Sequence, residues 1–137
     1  MRIRFIESSR YLDGGRLLKA GHLYYPSLTF PLLAALTPGR HDLSIENEIF
    51  EEIDFDRPAD IVGLTSITSN VYRAYEIADE FRRRGTYVVM GGIHASMEPD
   101  EAAGHADTVV VGEADETWPD FVRDFERGSP APRYEPS

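Results

Sequence analysis

Three short apolar runs alternate with segments of helical periodicity in this chain of 137 residues. The runs are IVGLT, TYVVM and TVVV, at residues 61–65, 86–90 and 108–111. Runs of this length between turn residues are typical of strands that are buried on both faces. The segment between the first two, VYRAYEIADEFRRRG, repeats apolar residues with the spacing of an amphipathic helix. Strands that alternate with helices favour a mostly parallel sheet covered on both sides.

The rest of the chain fits the same order of elements. Residues 2–7 and 42–46 predict two more strands, and residues 29–37, 99–105 and 116–128 predict helices. Five strands in a chain of this size predict an α/β fold of the flavodoxin-like, doubly wound (Rossmann-like) type.

Two segments lack this periodicity. Residues 8–27 hold three glycines and a proline and predict a long loop after the first strand, a kind of loop that is usually functional in a compact domain. Residues 129–137, SPAPRYEPS, hold three prolines. They predict a linker that follows a single domain at residues 1–128.

Composition excludes several classes of function. With 14 Lys and Arg against 24 Asp and Glu, the net charge of −10 argues against nucleic acid or an anionic membrane surface as a partner. There is no cysteine, which excludes thiol catalysis and a thiolate-bound iron–sulfur cluster on this chain. No apolar run approaches the ~20 residues that span a bilayer. Because MRIRFIES turns polar too soon for a signal peptide, we expect a cytoplasmic protein.

Small, hydroxyl-bearing and glycine residues follow the carboxyl ends of the predicted strands, where doubly wound folds bind ligands. The candidates are Thr65, Ser66, Ser69, Asn70, Gly91, Gly92, His94, Gly112 and Glu113. Singly, each has a simpler explanation: helix capping for the hydroxyl residues, a tight turn for the glycine pair, and a loop hydrogen bond for the histidine. Together, and beside the long loop 8–27, they indicate a binding site. None forms a matched acid, base or nucleophile pair, so we expect no catalytic residue.

The usual occupants of this fold leave motifs that this chain lacks. Neither GxGxxG nor GxxxxGK[ST] is present. Flavodoxins carry their Ser/Thr-rich phosphate loop after the first strand, whereas TSITSN follows the third. Response-regulator receivers need an aspartate where Thr65 stands and a lysine where Gly112 and Glu113 stand. A flavin or nucleotide is therefore a less favoured alternative.

Residues 60–125 resemble the cobalamin-binding domain found N-terminal to radical S-adenosylmethionine enzymes, with a weaker match over residues 1–59. In that family the third strand ends in a Ser/Thr-rich loop, the fourth in GG-x-H-x-[ST], and the fifth in VVxGEGE before a helix with an aromatic residue. Here the corresponding stretches are TSITSN, GGIHAS and VVVGEAD. The last departs from the pattern at Ala114 and Asp115.

The resemblance implies that a corrin ring lies across the strand ends and that its dimethylbenzimidazole tail enters the core beside the glycine pair. Gly91 and Gly92 would leave space for that tail. Thr65, Ser66 and Ser69 would hydrogen-bond its ribose, phosphate or base, because hydroxyl groups both donate and accept.

One branch of the family carries DxHxxG after the first strand, and that histidine ligates cobalt. The loop 8–27 has Asp13, Gly14, Gly15 and His22, but not at that spacing. The resemblance therefore implies base-off cobalamin with no protein histidine as a metal ligand.

The resemblance also implies a longer parent protein. Since this chain has no cysteine, the iron–sulfur cluster and S-adenosylmethionine would belong to a C-terminal radical domain of the same parent, which transfers a methyl group or rearranges its substrate. The alternative is a degenerate fold that no longer binds cobalamin and acts as a structural or interaction domain.

Overall fold

The computed structural model describes residues 1–19 and 28–137. Within these residues, six strands form one sheet. They are β1 (Arg2–Glu7), β2 (Asp42–Asn47), β3 (Ile61–Thr65), β4 (Tyr87–Gly91), β5 (Thr108–Val110) and β6 (Arg133–Tyr134). The order in the sheet is β2-β1-β3-β4-β5-β6, and every neighbouring pair is parallel. The predicted α/β doubly wound class is confirmed.

Helices cover both faces of the sheet. Those in the described ranges are α1 (Thr29–Ala35), α2 (Val71–Arg83), α3 (Ile93–Met97), α4 (Pro99–Ala103) and α5 (Ala114–Glu126). Side chains of α1 and α5 share one buried cluster with β1, β3, β4 and β5. Those of α2, α3 and α4 share the cluster on the opposite face. The chain passes from β1 outward to β2 and then returns to β3 on the other side of β1, so strand order reverses at β1.

The apolar stripe of α2 explains why this segment is a helix. Its buried residues are Val71, Ala74, Tyr75, Ile77, Ala78 and Phe81. This spacing of three and four places every apolar side chain on one face, which packs on the sheet. Arg82 and Arg83 stand in the last turn, where a cation interacts favourably with the helix dipole.

An aromatic cluster joins α1, α5 and the sheet. The ring of Trp118 lies 5.3 Å from that of Phe5, and Phe5 lies 5.1 Å from Phe30. The indole Nε1 of Trp118 donates to Thr37 Oγ1 at 2.9 Å, so the one polar atom of this ring is satisfied in the core. The two helices are thereby held together over the strands.

The sixth strand corrects the prediction of five strands. Val109 N donates to Pro132 O at 2.9 Å, and Val111 N donates to Tyr134 O at 2.8 Å. Because β6 is an edge strand, Pro132 costs no ladder bond there: its carbonyl accepts, and the missing N–H is not needed. The segment 129–137, predicted as a linker, therefore adds to the sheet, and the folded unit extends past residue 128.

Two further predictions concern His22 and the absence of a membrane-spanning segment. His22, the candidate that we rejected as a cobalt ligand, lies outside the described residues. Within the described residues, no helix combines the length and apolar character that crossing a membrane requires.

Candidate functional site

The loops that follow β3 and β4 are joined at the carboxyl edge of the sheet. Ser66 donates to Gly91 O twice, from its backbone N at 2.9 Å and from its Oγ at 3.2 Å. His94 N donates to Ser66 O at 3.1 Å. Ser66 is fully buried, so its hydroxyl holds the glycine turn in place and does not face a ligand.

The close contact between these two loops explains why residue 92 is a glycine. Its φ is +102°, a conformation that favours glycine. A Cβ on Gly92 would stand 2.5 Å from Ser66 O and 2.8 Å from Thr65 Oγ1. The space beside Gly92 is therefore filled by the neighbouring loop, and it is not the room for a ligand that the resemblance implied.

Gly91 has a different environment. A Cβ there would meet Val110 at 3.6 Å, which is ordinary contact. Gly91 lines a mostly apolar cavity of about 30 Å³ between the sheet and helices α1 and α5, which we call the aromatic cavity. Its lining residues are Phe5, Thr29, Phe30, Leu33, Gly63, Leu64, Thr65, Val89, Gly91, Gly92, Val110, Ala114 and Trp118.

The chemistry of the aromatic cavity suits a flat heterocyclic ring. Phe5, Phe30 and Trp118 offer aromatic surface, and Thr65 contributes a hydroxyl that donates and accepts. A volume of about 30 Å³ holds water but not a ring system. The residues present fit such a ligand by type, and the cavity has to widen to receive it.

His94 lies away from the aromatic cavity. Its Nε2 is 2.9 Å from Glu101 Oε1, and its Nδ1 is 3.3 Å from Thr68 Oγ1. Tyr75 also donates to Glu101 Oε1, at 2.7 Å. Hydrogen bonds from His94 and then Tyr75 lower the pKa of Glu101. Both ring nitrogens of His94 are therefore engaged in holding α3 and α4 against α2.

The remaining candidates are distributed along the edge. Asn70 precedes α2 but does not cap it; its Oδ1 accepts from Ile67 N at 2.9 Å and shapes the loop. Gly112 has φ +79°, and a Cβ there would stand 3.3 Å from Pro136 Cδ, so the C-terminal segment covers it. Glu113 is exposed at the start of α5.

Thr65, Gly91 and Gly92 thus meet at the aromatic cavity. Ser69 and Asn70 line a separate groove of about 190 Å³ with both apolar and polar walls, which we call the first-loop groove. Its lining residues are Glu7, Ser8, Ser9, Arg10, Leu18, Ile49, Ile67, Ser69 and Asn70. His94, Gly112 and Glu113 line neither.

An ion pair that sequence reasoning missed holds the first loop. The carboxylate of Glu48, only 2% exposed, accepts from Arg73 Nε at 3.0 Å and Nη2 at 2.5 Å. Ser9 N donates to the same carboxylate at 3.0 Å. The hydrogen bond from Arg73 to Glu48 raises the pKa of Arg73, which stays charged. No pattern in the sequence connects these residues, because only the fold brings the ends of β1 and β2 beside α2.

Within residues 1–19 and 28–137, no group of three or more histidine and carboxylate side chains is placed to hold a metal ion.

The fold and the carboxyl-edge cavity define a ligand-binding α/β domain, and comparison with known proteins identifies its class. The B12 binding domain family matches residues 38–122. The chain therefore belongs to the B12-binding domain family, which confirms the resemblance to a cobalamin-binding domain and supports cobalamin as the ligand.

Its relatives among curated proteins include methyltransferases. The chain is 48% identical over 105 residues to bacteriochlorophyllide d C-8(2)-methyltransferase of Chlorobaculum tepidum, covering 76% of this chain and 23% of that protein. It is 37% identical over 78 residues to the C-12(1)-methyltransferase of the same organism, covering 57% and 17%. An uncharacterized methyltransferase of Pyrococcus horikoshii is 31% identical over 116 residues, covering 75% and 25%. The chain thus spans 25% or less of the length of these relatives.

A solved structure agrees with the fold. The N-terminal domain of a hypothetical protein of Thermotoga maritima superposes with a TM-score of 0.50 at 17% identity, covering 63% of this chain and 74% of that one. At this identity the likeness speaks for the fold alone.

Proposed function

We propose that this chain binds cobalamin with its nucleotide tail in the aromatic cavity and presents it to a methyl-transferring domain of a longer protein. The observation that carries the proposal is the cavity itself. It opens beside β1 and β3, where strand order reverses, and combines aromatic walls with Thr65 and the unobstructed Gly91. Family membership supports the same ligand.

Each lining group has a role in this proposal. Phe5, Phe30 and Trp118 would enclose the base, and the hydroxyl of Thr65 would hydrogen-bond it. Gly91 would leave space on the sheet side, while Gly92 and Ser66 keep the turn rigid. The cofactor supplies a cobalt centre that can carry a methyl group; the protein supplies binding and orientation.

The proposed state is base-off without a histidine ligand. The first loop has one histidine, His22, which does not stand in a DxHxxG motif, and His94 is engaged with Glu101 and Thr68. A tail held in the aromatic cavity would not be available as a ligand of cobalt.

The partner in this proposal is a C-terminal radical S-adenosylmethionine domain, which would carry the iron–sulfur cluster. Support comes from the relatives, which are named methyltransferases and are at least four times longer than the matched region. The chain itself has no cysteine for such a cluster. A cytoplasmic location is part of the proposal and rests on the sequence alone.

The small volume of the aromatic cavity favours a second candidate function. At about 30 Å³, it is filled by the side chains of Phe5, Phe30 and Trp118, as expected of a structural or interaction domain that has lost cobalamin binding.

A visible-absorbance titration with hydroxocobalamin and methylcobalamin, followed by gel filtration, separates the two candidates. We expect colour to elute with the protein and to show a base-off spectrum. Cobinamide, which lacks the nucleotide tail, is the matched control and should bind more weakly. A spectrum of histidine-ligated cobalamin would contradict the proposed state, and failure of cobalamin to bind would favour the structural domain.

A further inference from the structure

Thr68 stands on the loop after β3, at the carboxyl edge of the sheet, and is exposed. Its Oγ1 lies 3.3 Å from Nδ1 of His94, which belongs to α3 on the neighbouring loop. A hydroxyl both donates and accepts, and a neutral imidazole carries its hydrogen on either of two nitrogens. The direction of this hydrogen bond therefore depends on which nitrogen of His94 carries the hydrogen.

A carboxylate on the other side of the imidazole fixes that hydrogen. Nε2 of His94 lies 2.9 Å from Glu101 Oε1, and the hydroxyl of Tyr75 donates to the same oxygen at 2.7 Å. Burial, and then the bond to Glu101, raises the pKa of Tyr75, so this hydroxyl keeps its hydrogen. Hydrogen bonds from His94 and then Tyr75 lower the pKa of Glu101, so the carboxylate is ionised and only accepts. Nε2 of His94 is therefore the donor.

This assignment makes Thr68 a donor to His94. A neutral imidazole with its hydrogen on Nε2 has an acceptor at Nδ1. The Thr68 hydroxyl supplies the donor that Nδ1 requires. Since its one hydrogen is used in this bond, the oxygen of Thr68 can only accept from a further partner. A relay from Glu101 through His94 thus presents a hydrogen-bond acceptor at the carboxyl edge.

The surrounding structure holds the relay in place. His94 N donates to Ser66 O at 3.1 Å, and Glu98 N donates to His94 O at 2.8 Å. Tyr75 is buried, and its ring stacks on that of His105 with centroids 4.0 Å apart. A group whose orientation is fixed before binding loses less entropy when the ligand arrives.

Exposed apolar side chains adjoin both ends of the contact between Thr68 and His94. Ile67, which precedes Thr68, is 47% exposed, and Ile93, which precedes His94, is 65% exposed. Apolar surface with a few fixed polar groups is the usual composition of a site for a small molecule. The acceptor of Thr68 therefore suits a ligand that has an apolar body and N–H donors at its rim.

We propose that Thr68 accepts a hydrogen bond from an N–H group of bound cobalamin, and that Glu101 acts through His94 to orient the hydroxyl for this role. The inference rests on the proposed function and adds a contact outside the aromatic cavity. Primary amides at the rim of the corrin ring supply such donors. Thr68 is then a binding residue, whereas His94 and Glu101 are positioning residues.

Nitrogen NMR of the 137-residue chain tests the relay without a ligand. Correlations between the ring nitrogens and the carbon-bound hydrogens distinguish the two neutral forms of a histidine. At about pH 8, where imidazole is neutral, we expect His94 to carry its hydrogen on Nε2. Glu101→Gln should admit both forms, because an amide donates as well as accepts. A hydrogen on Nδ1 in the wild type would overturn the inference.

Asp79→Asn is the matched control for the NMR measurement. It makes the same change from carboxylate to amide at the partner of the other histidine, since Asp79 Oδ1 lies 2.8 Å from His105 Nδ1. The hydrogen of His94 should stay on Nε2 in this variant.

Absorbance titration with methylcobalamin tests the contact with the ligand. Thr68→Val should weaken binding about fivefold, as expected for one lost hydrogen bond, and Thr68→Ser should restore it to within about twofold of the wild type. Glu101→Gln should weaken binding about threefold in the wild-type chain. It should have no effect in the Thr68→Val chain, because Glu101 acts only through that hydroxyl.

Two results of the titration would overturn the inference while leaving the proposed function intact. In one, Thr68→Val binds methylcobalamin as tightly as the wild type; in the other, Glu101→Gln weakens binding equally with and without the Thr68 hydroxyl. If the wild type does not bind methylcobalamin, the proposed function fails and the contact at Thr68 fails with it.

Discussion

The missing side chain of Gly92 makes room for the backbone of Ser66, because a Cβ on Gly92 would stand 2.5 Å from Ser66 O. The two glycines therefore have different structural roles. Gly92 allows the loops after β3 and β4 to interlock, whereas Gly91 borders the aromatic cavity.

Gly92→Ala should destabilise the fold more than other substitutions of left-handed glycines. The added Cβ combines an unfavourable φ with a clash against buried backbone, so we expect a loss of about 3 kcal/mol or more in the free energy of unfolding, measured in urea. Gly85→Ala is the control, because Gly85 has φ +86° but no neighbour within 4 Å. It should cost about 1 kcal/mol. Equal losses for both variants would contradict the interlock.

Gly91→Val should block the nucleotide tail without unfolding the chain. Its Cβ meets only ordinary contacts, and valine suits a strand, so we expect to lose about 1 kcal/mol of stability from crowding of the cavity. The affinity for cobalamin should fall by about tenfold or more, which corresponds to a loss of about 1.4 kcal/mol in the free energy of binding. Binding of cobinamide, measured by the same titration, should stay unchanged. Parallel losses for both ligands would argue against a tail in the aromatic cavity.

Removal of residues 131–137 should destabilise the domain, because the segment supplies β6. At least four hydrogen bonds to the rest of the chain would be lost: those from the backbone N atoms of Val109 and Val111, from Thr108 Oγ1 to Ala131 O, and from the Tyr134 hydroxyl to Asp124. At about 1 kcal/mol each, the loss would be about 4 kcal/mol in urea unfolding. A chain that ends at Tyr134 keeps the strand and should be close to the full chain. If both truncations are neutral, the segment is a linker, as its prolines suggested.

The buried pair between Arg4 and Glu46 should make stability depend on pH. Burial raises the pKa of Glu46, but the hydrogen bonds from Arg4 and Ser44, together with the charges of Arg4 and Arg57, outweigh this and hold the pKa below its usual value of 4.5. Because the pKa is lower in the folded state, the stabilisation is present above about pH 4.5 and is lost as pH falls through the folded-state pKa. Glu46→Gln should cost about 3 kcal/mol at pH 7 and less at pH 3.

Urea midpoints at the two pH values check this sign. Glu135→Gln, which breaks an exposed pair with Arg133, should cost little at either pH. A gap between wild type and Glu46→Gln that widens towards pH 3 would contradict the assigned cause.

Arg73→Leu should release the first loop. It leaves the buried carboxylate of Glu48 without its cation, which costs about 3 kcal/mol. Trypsin should then cleave faster after Arg16 and Lys19, because the loop loses its buried link to α2 and keeps the exposed hydrogen bond from Tyr11 to Glu76. Arg123→Leu, which removes an exposed ion pair with Asp120, is the control. Unchanged cleavage kinetics in the Arg73 variant would show that the loop is held by other contacts.

Several features could be predicted from the order of the residues. The apolar runs at 61–65, 86–90 and 108–111 became β3, β4 and β5 with only small shifts at their ends, since their periodicity is local. The helical stripe from Val71 to Phe81 packs on the sheet as predicted. A parallel sheet then brings the strand ends to one edge, which is why the sequence predicts a candidate site there.

The tertiary structure alone decided what each residue at that edge does. In the sequence, Gly91 and Gly92 look equivalent. The structure distinguishes them, because the backbone of Ser66 packs against Gly92 and leaves Gly91 facing the aromatic cavity. His94 matches its motif and nevertheless bonds to Glu101, a partner that α4 brings to it.

The same holds for the sixth strand and the first loop. Proline predicts a break in a strand, yet an edge position requires no N–H from Pro132. The Glu48–Arg73 pair joins residues far apart in the chain. Local propensity determined the elements, because it depends on neighbours in sequence; packing determined the site, because contacts between loops depend on where the whole sheet places them.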